Sequence, residues 1–313
     1  MAGFSEIATV IRERLTEFRN HFQQTIAPAL HNVFAKCQEA FNSESFKLAV
    51  SIIKELIEVV YRYGTLHEKF CVLAITLGWL PHPIVFPTGV IEVMNEYEAN
   101  GEDAARAKLD SFYVEVCTNE KLTEMMQEWE QKPLLQRRMP ILKQALDAHI
   151  EGKYFIALPI FLTQMEGILV DGYVHRGELY SQKRRDLLEK ALSNRQWLSF
   201  DEAILNIIAF KVFNSFKHGE VPSFEINRNA ILHGASTEYG THINSLKCIL
   251  LFDYLQAKVG FVTFTSSKRY HLVTCSVVSR HMIRTPQAKI EPYTYMNEYK
   301  AACKICRPDM PVY

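Results

Sequence analysis

An all-α chain in two helical parts, closed by a short irregular or β-containing tail, is the fold class this sequence predicts. Apolar residues recur at three- and four-residue spacing along most of the chain, the period of a helix with one buried stripe. Proline and glycine interrupt that pattern where helices would start, kink or stop. Only about the last fifty residues change character, with FVTFT and HLVTCSVV alternating and β-branched.

The elements follow in order. The first stripe, from Phe4 to Phe41, predicts a helix kinked or interrupted at Pro28. FKLAVSIIKELIEVVYRY predicts a second helix, stopped at Gly64. GWLPHPIVFPTG reads as an extended connection, and VIEVMNEYEANGEDAARAKLDSFYVEV returns to helix. QEWEQKPLLQRRMP is polar and basic with two prolines, the composition of a joint between domains. ILKQALDAHI then starts behind Pro140, a favourable first-turn residue, and FIALPIFLTQMEGILV contains Pro159, which predicts a kink or a late start. Ser199 and Glu202 have the spacing of a capping box ahead of AILNIIAFKVF. After the loop HGEVPSFE and the short helical stretch INRNAILHG, TEYGTHINSLKCILLFDYLQAKVG makes a long helix closed by Gly260. The resulting division is an N-terminal helical domain over 1–135, a second helical domain over 136–262, and a tail over 263–313.

Composition narrows the function. Hydrophobic residues at 48% and charged ones at 22% suit a globular protein, and thirty-five basic residues balance thirty-five acidic ones. A balanced chain is no general binder of polyanions, so nucleic-acid contact needs a local patch. Seven scattered cysteines, an odd number, predict a reducing, cytoplasmic setting. MAGFSEIATVIRER lacks the pattern of a signal peptide, and the longest apolar run, FCVLAITLGWL, is too short to span a bilayer, so no membrane partner is expected.

The stretch INRNAILHG, 226–234, places Arg228, Asn229 and His233 within six positions. The arginine-to-histidine spacing occurs twice, here and at Arg62–His67. The first copy carries Tyr63 after its arginine, and Gly64 and Thr65 break its helix. In the second copy, Asn229 and His233 stand four apart on one helix face, and Gly234 ends the helix and leaves the imidazole at an accessible edge. The residue types suit RNA cleavage by its own 2′-hydroxyl. Histidine exchanges protons near neutrality, a guanidinium grips phosphate oxygens with both arms, and a neutral amide orients either.

The segment RNAILHG, preceded by paired helices and followed by a long helix, resembles the HEPN superfamily of α-helical ribonucleases. Arg228, Asn229 and His233 match that family's arginine, polar residue, three variable positions and histidine one for one. LDAHIEGKYFIALPIFLTQMEGIL is similar to the helix pair of bacterial HEPN proteins ending in an EG dipeptide, and the likeness covers roughly residues 136–260. The resemblance implies a four- or five-helix bundle, a homodimer, RNA as substrate, and metal-independent endoribonuclease activity in phage defence or a toxin-like role. The alternative is a catalytically inactive HEPN module that binds RNA or a nucleotide, or mediates assembly. A regulatory protein would engage the N-terminal domain.

Other residues carry competing readings. Glu166 can position Arg228 or His233, or pair structurally with a cation, and Asp171 lies nearby in sequence. His218 and His242 flank the motif and are expected to be structural or solvated. Arg176, Lys183, Arg184 and Arg185 in HRGELYSQKRR form either an RNA-facing rim or a solvated surface. Cys303 and Cys306 form a CxxC with His271, Cys275 and His281 nearby, but a zinc site needs four ligands and the second pair lacks a matching spacing. No cofactor is expected and no metal is assigned, with zinc at Cys303 and Cys306 kept as the lesser alternative.

Overall fold

The computed structural model of the chain describes residues 64–86, 89–192, 199–222, 224–264, 267–273, 275–285, 290–292 and 300–306. The helices predicted over 4–41 and 46–63, and Arg62, lie outside the described residues. The chain divides into two compact units, Met1–Leu109 and Asp110–Tyr313. The protein is mostly helical, with a small sheet towards the C-terminus.

In the first unit, helix α1 covers 64–76 of the described residues, and Gly64 and Thr65 are themselves helical. Phe70, Cys71, Ala74 and Ile75 form its buried face. The expected extended connection contains a 3₁₀ turn, Pro83–Val85, capped by the His82 imidazole, which accepts from the Ile84 amide. Helices α2 (Val90–Asn100) and α3 (Glu102–Val116) follow, and the division between units falls within α3.

The boundary expected near residue 135 therefore moves back to 109/110. Helix α4 (Asn119–Glu130) is fastened to the second unit through Trp129, which lies edge-on to Phe252 and Phe161. Its indole Nε1 donates to Asp253 at 2.7 Å. The supposed joint is folded too, as a 3₁₀ helix over Pro133–Arg138. Arg138 donates to Asp171 Oδ2 at 2.6 Å and to Gln164 at 2.6 Å, and Arg137 also pairs with Asp171. A polar, basic stretch reads as a linker, but these arginines have a half-buried carboxylate and a buried amide to meet.

Helices α5 (Met139–Ile150), α6 (Tyr154–Gly172) and α10 (His242–Gln256) form the core of this unit. Helix α6 is long and apolar enough to cross a membrane by length and composition, with mean hydropathy 1.4, yet half of it is buried inside the protein. Ala157, Leu158, Phe161, Leu162, Met165, Ile168 and Leu169 are shut off from solvent. The helix does not start late: it begins at Tyr154 and carries Pro159 in its second turn. Proline has no N–H for the carbonyl of residue 155, four positions back, and the Tyr239 hydroxyl donates to that Phe155 oxygen at 3.3 Å instead.

Helix α7 covers Ser181–Ala191, and α8 (Asp201–Ile207) widens into a π turn over Ile208–Val212. The capping box expected at Ser199 and Glu202 forms differently: Phe200 is the cap residue, and Ser199 Oγ accepts from the Asp201 amide at 3.1 Å. Helix α9 is the five-residue Arg228–Leu232. The long helix starts at His242 rather than near Thr237, because the Thr241 side chain accepts from Asn244 N and sets the N-cap.

Strands β1 (Phe261–Phe264) and β2 (Arg269–Leu272) pair antiparallel, with Phe261 opposite Leu272. The expected strand character of HLVTCSVV stops at Leu272: helix α11 spans Ser276–Arg284, with Val278 and Met282 one turn apart on its packed face. Strands β3 (Ile290–Pro292) and β4 (Ala301–Ala302) complete a sheet of order β3-β1-β2-β4, β4 lying parallel to β2.

Where α5 ends against the start of α10, His149 is buried and shares a 2.8 Å hydrogen bond with Ser245 Oγ. Its ring stacks on His242 at 5.2 Å. Burial, with His242 adding, pushes its pKa down to about 4. The folded state therefore holds His149 neutral, whereas the unfolded chain takes up the proton below about pH 6.5. Stability from this group is intact above that pH and is lost as pH falls towards 4, on the order of 2–4 kcal/mol in all. His149→Gln is expected to lose less of its urea midpoint than the wild type between about pH 7 and about pH 4.5. Equal losses would contradict this assignment.

Candidate functional site

The motif helix α9 is built from its caps inward. Asn227 occupies the N-cap, its side-chain oxygen accepting from the Ala230 amide at 2.9 Å. At the other end Gly234 takes φ +74°, which L-residues adopt with strain, and the chain reverses. The Gly234 amide donates to Ile231 O and the Ala235 amide to Ala230 O, the paired bonds of a Schellman stop. His233 is thus the last residue before the reversal, and it is exposed. By contrast His67, from the other copy of the spacing, is 2% exposed within α1.

The two asparagines hold carbonyls at and just beyond the end of the π turn. A turn widened to i→i−5 bonding leaves carbonyls without the usual intrahelical donors. Asn227 Nδ2 donates to Lys211 O and Asn214 O at 3.3 and 3.2 Å. Asn229 Nδ2 donates to Phe213 O and Asn214 O at 3.3 and 2.9 Å. The motif helix is therefore pinned by side-chain amides to residues 211–214 of the segment 211–218. His233 meets the same segment, stacked on Phe216 with ring centroids 5.9 Å apart and planes at 29°. His218 approaches the same Phe216 ring edge-on at 4.9 Å. Two exposed imidazoles thus share one aromatic support.

Arg228 is held from the other side. Its Nη2 pairs with Glu166 Oε2 on α6, and its Nη1 donates to Asn229 Oδ1 at 2.9 Å. Glu166 Oε1 also pairs with Arg184 Nη1 at 2.5 Å. The side chains of Glu166, Arg184 and Arg228 are 15%, 10% and 20% exposed, so little solvent screens the trio. One carboxylate between two guanidiniums leaves one positive charge over, and Arg228 Nε is buried without a hydrogen-bond partner. Such a group suits an anionic ligand that approaches the exposed fraction of Arg228.

The structure thus brings Glu166, Arg228, Asn229 and His233 into one neighbourhood, and it adds Asn227, Phe216 and His218. Asn227 carried a sequence signal, an asparagine directly before a helix. Phe216 carried none, since its role depends on the π turn and the loop behind it. The expected basic rim is corrected. Arg184 is buried, paired with Glu166 and set over the Phe213 ring at 4.9 Å, so it is a structural and positioning group rather than a surface contact for RNA. Arg185 is exposed, but it pairs with Glu189 and covers Phe210. Arg176 is exposed and Lys183 half-buried. His242 belongs to the stacked pair with His149. Cys303 and Cys306 belong to the sheet region, where His271 and Cys275 join them; His281 packs instead on Phe264 at 4.3 Å.

Comparison of the chain with protein-family models, curated proteins and solved structures gave no match.

Proposed function

We propose that the second unit is a HEPN-like endoribonuclease that cleaves RNA by attack of the RNA's own 2′-hydroxyl. The observation that supports this most is the placement of an exposed His233 and a carboxylate-anchored Arg228 on one short, doubly pinned helix. An imidazole takes the 2′-hydroxyl proton as that oxygen bonds to phosphorus. The 5′-oxygen leaves with a proton from an acid, giving a 2′,3′-cyclic phosphate and a 5′-hydroxyl. Arg228 faces the charge that builds on the phosphorane oxygens, and the shared carboxylate of Glu166 fixes its position. The second imidazole comes from His218 on the same Phe216 ring, or from the His233 of a second copy in the homodimer that the resemblance implies. A role in phage defence or as a toxin, with control through the N-terminal unit, belongs to the same proposal.

Incubation of the purified protein with total RNA and end-labelled oligoribonucleotides tests it. Cleavage is expected without added magnesium, leaving 5′-hydroxyl ends and cyclic phosphates. Products with 5′-phosphates, or a strict need for magnesium, would overturn the mechanism. One observation favours the catalytically inactive module instead: both terminal nitrogens of Arg228 are already engaged, by Glu166 and Asn229. Each keeps a second N–H, and a phosphate must compete for those. RNA binding without any cleavage identifies that second reading.

A further inference from the structure

We propose that His271, Cys275, Cys303 and Cys306 form a zinc site that ties the end of β4 to β2 and to the start of α11. The three sulfurs and one ring nitrogen all lie within 4.8 Å of one another. Four ligands around zinc, with Zn–S near 2.3 Å and tetrahedral angles, stand roughly 3.5–4 Å apart, so a small contraction suffices. The donors come from three elements in two stretches of the sequence. His271 is on β2, Cys275 is the cap residue of α11, and the cysteine pair follows β4.

Independent features point to a metal rather than to ordinary packing. His271 is 4% exposed, and its Nδ1 is buried without a hydrogen-bond partner. A buried imidazole nitrogen left unpaired is costly unless something meets it. The sulfurs also receive backbone amides: Ile305 N donates to Cys303 Sγ and Leu272 N to Cys306 Sγ, each at 3.4 Å. Donors aimed at sulfur stabilise thiolate, the form that binds zinc, and orient the ligand. Lys304 and Ile305, between the two cysteines, are exposed, as the tip of a tight ligand turn requires. A disulfide would use two sulfurs and leave the third thiol and the imidazole unexplained.

The local architecture needs such a tie. Strand β4 has two residues and pairs parallel to β2 only through Arg269↔Ala301 and Tyr270↔Ala302. Its apolar support is two small clusters, one of which already includes Cys275 and Cys303. Small cores of this kind are commonly held by a metal or disulfides. Three thiolates and a neutral imidazole select soft or borderline cations, and tetrahedral S₃N geometry selects zinc. On binding, Zn²⁺ gains three sulfur bonds and one nitrogen bond, and three thiol protons pass to the solvent.

The test is metal analysis of the full chain, purified under reducing conditions without chelator from zinc-supplemented cells. About one zinc per chain is expected, falling to background in the Cys303→Ser/Cys306→Ser double variant and unchanged in Cys117→Ser. Cobalt titration of the reduced, zinc-free wild type should give the d–d and sulfur-to-cobalt charge-transfer bands of a tetrahedral thiolate site. That readout does not depend on how the variants fold. Limited proteolysis should cut within 261–306 faster once zinc is removed. A wild type that neither holds zinc nor gives those cobalt bands overturns the site, as does a double variant that keeps its zinc. Unchanged proteolysis overturns the tying role.

Discussion

Replacing Trp129 with alanine is expected to cost the second unit about 3–5 kcal/mol, the range for removing a buried large aromatic. The indole is 1% exposed and lies between Phe161 of α6 and Phe252 of α10, the two helices at the centre of the unit. Its loss opens a cavity that α4 cannot fill by sliding, because Lys132, just beyond the helix, is fixed to Gln256 at 2.6 Å. Asp253 also loses the donor at 2.7 Å, while Gln256 still donates to it at 3.1 Å. For a unit of this size the thermal midpoint should fall by on the order of 10 °C. Urea unfolding followed by circular dichroism checks it. A loss under about 1 kcal/mol would show that α4 is not part of the core.

The second large effect concerns chemistry rather than stability. His233→Ala is expected to lower RNA cleavage by about 10²–10⁴-fold, the usual loss when a positioned proton-transfer group is removed. His233 is exposed and touches Phe216 only by stacking, so stability should stay within about 0.5 kcal/mol of the wild type. That pairing of results separates a catalytic imidazole from a packed helix end. Arg228→Lys should cost roughly 10²-fold, comparable with losing one electrostatic donor. Its single nitrogen cannot serve Glu166, Asn229 and a phosphate together. Parallel turnover and urea-midpoint measurements on both variants check the split.

What the sequence discloses depends on how local the cause is. The end of α9 was legible because Gly234 and the reversal behind it are a local matter of backbone conformation. The tail's first strand was legible for the same reason, through the alternation of FVTF. That the helix starts ahead of Pro159 was not legible, because the hydroxyl that meets the freed carbonyl is that of Tyr239, eighty residues away in sequence but adjacent in space. Arg184 looked like surface because nothing in SQKRRD reports a carboxylate on another helix. The histidine and the three cysteines of the sheet region failed the spacing rule for zinc for a similar reason. His271 and Cys275 are joined to Cys303 and Cys306 by the pairing of β2 with β4, which two alanines do not announce. The pairing of Glu166 with Arg228 was anticipated as one of two outcomes, and the distance along the chain left both open.

In the proposed reaction the 2′-hydroxyl of RNA is the nucleophile and His233 moves a proton in the step. Single-turnover cleavage of one oligoribonucleotide and its fully 2′-O-methylated counterpart, by wild type and by His233→Ala, tests it most directly. Wild type is expected to cut the RNA and leave the methylated strand intact, and His233→Ala to cut the RNA at least about 10²-fold more slowly. Cleavage of the methylated strand, or an undiminished rate in His233→Ala, would contradict it.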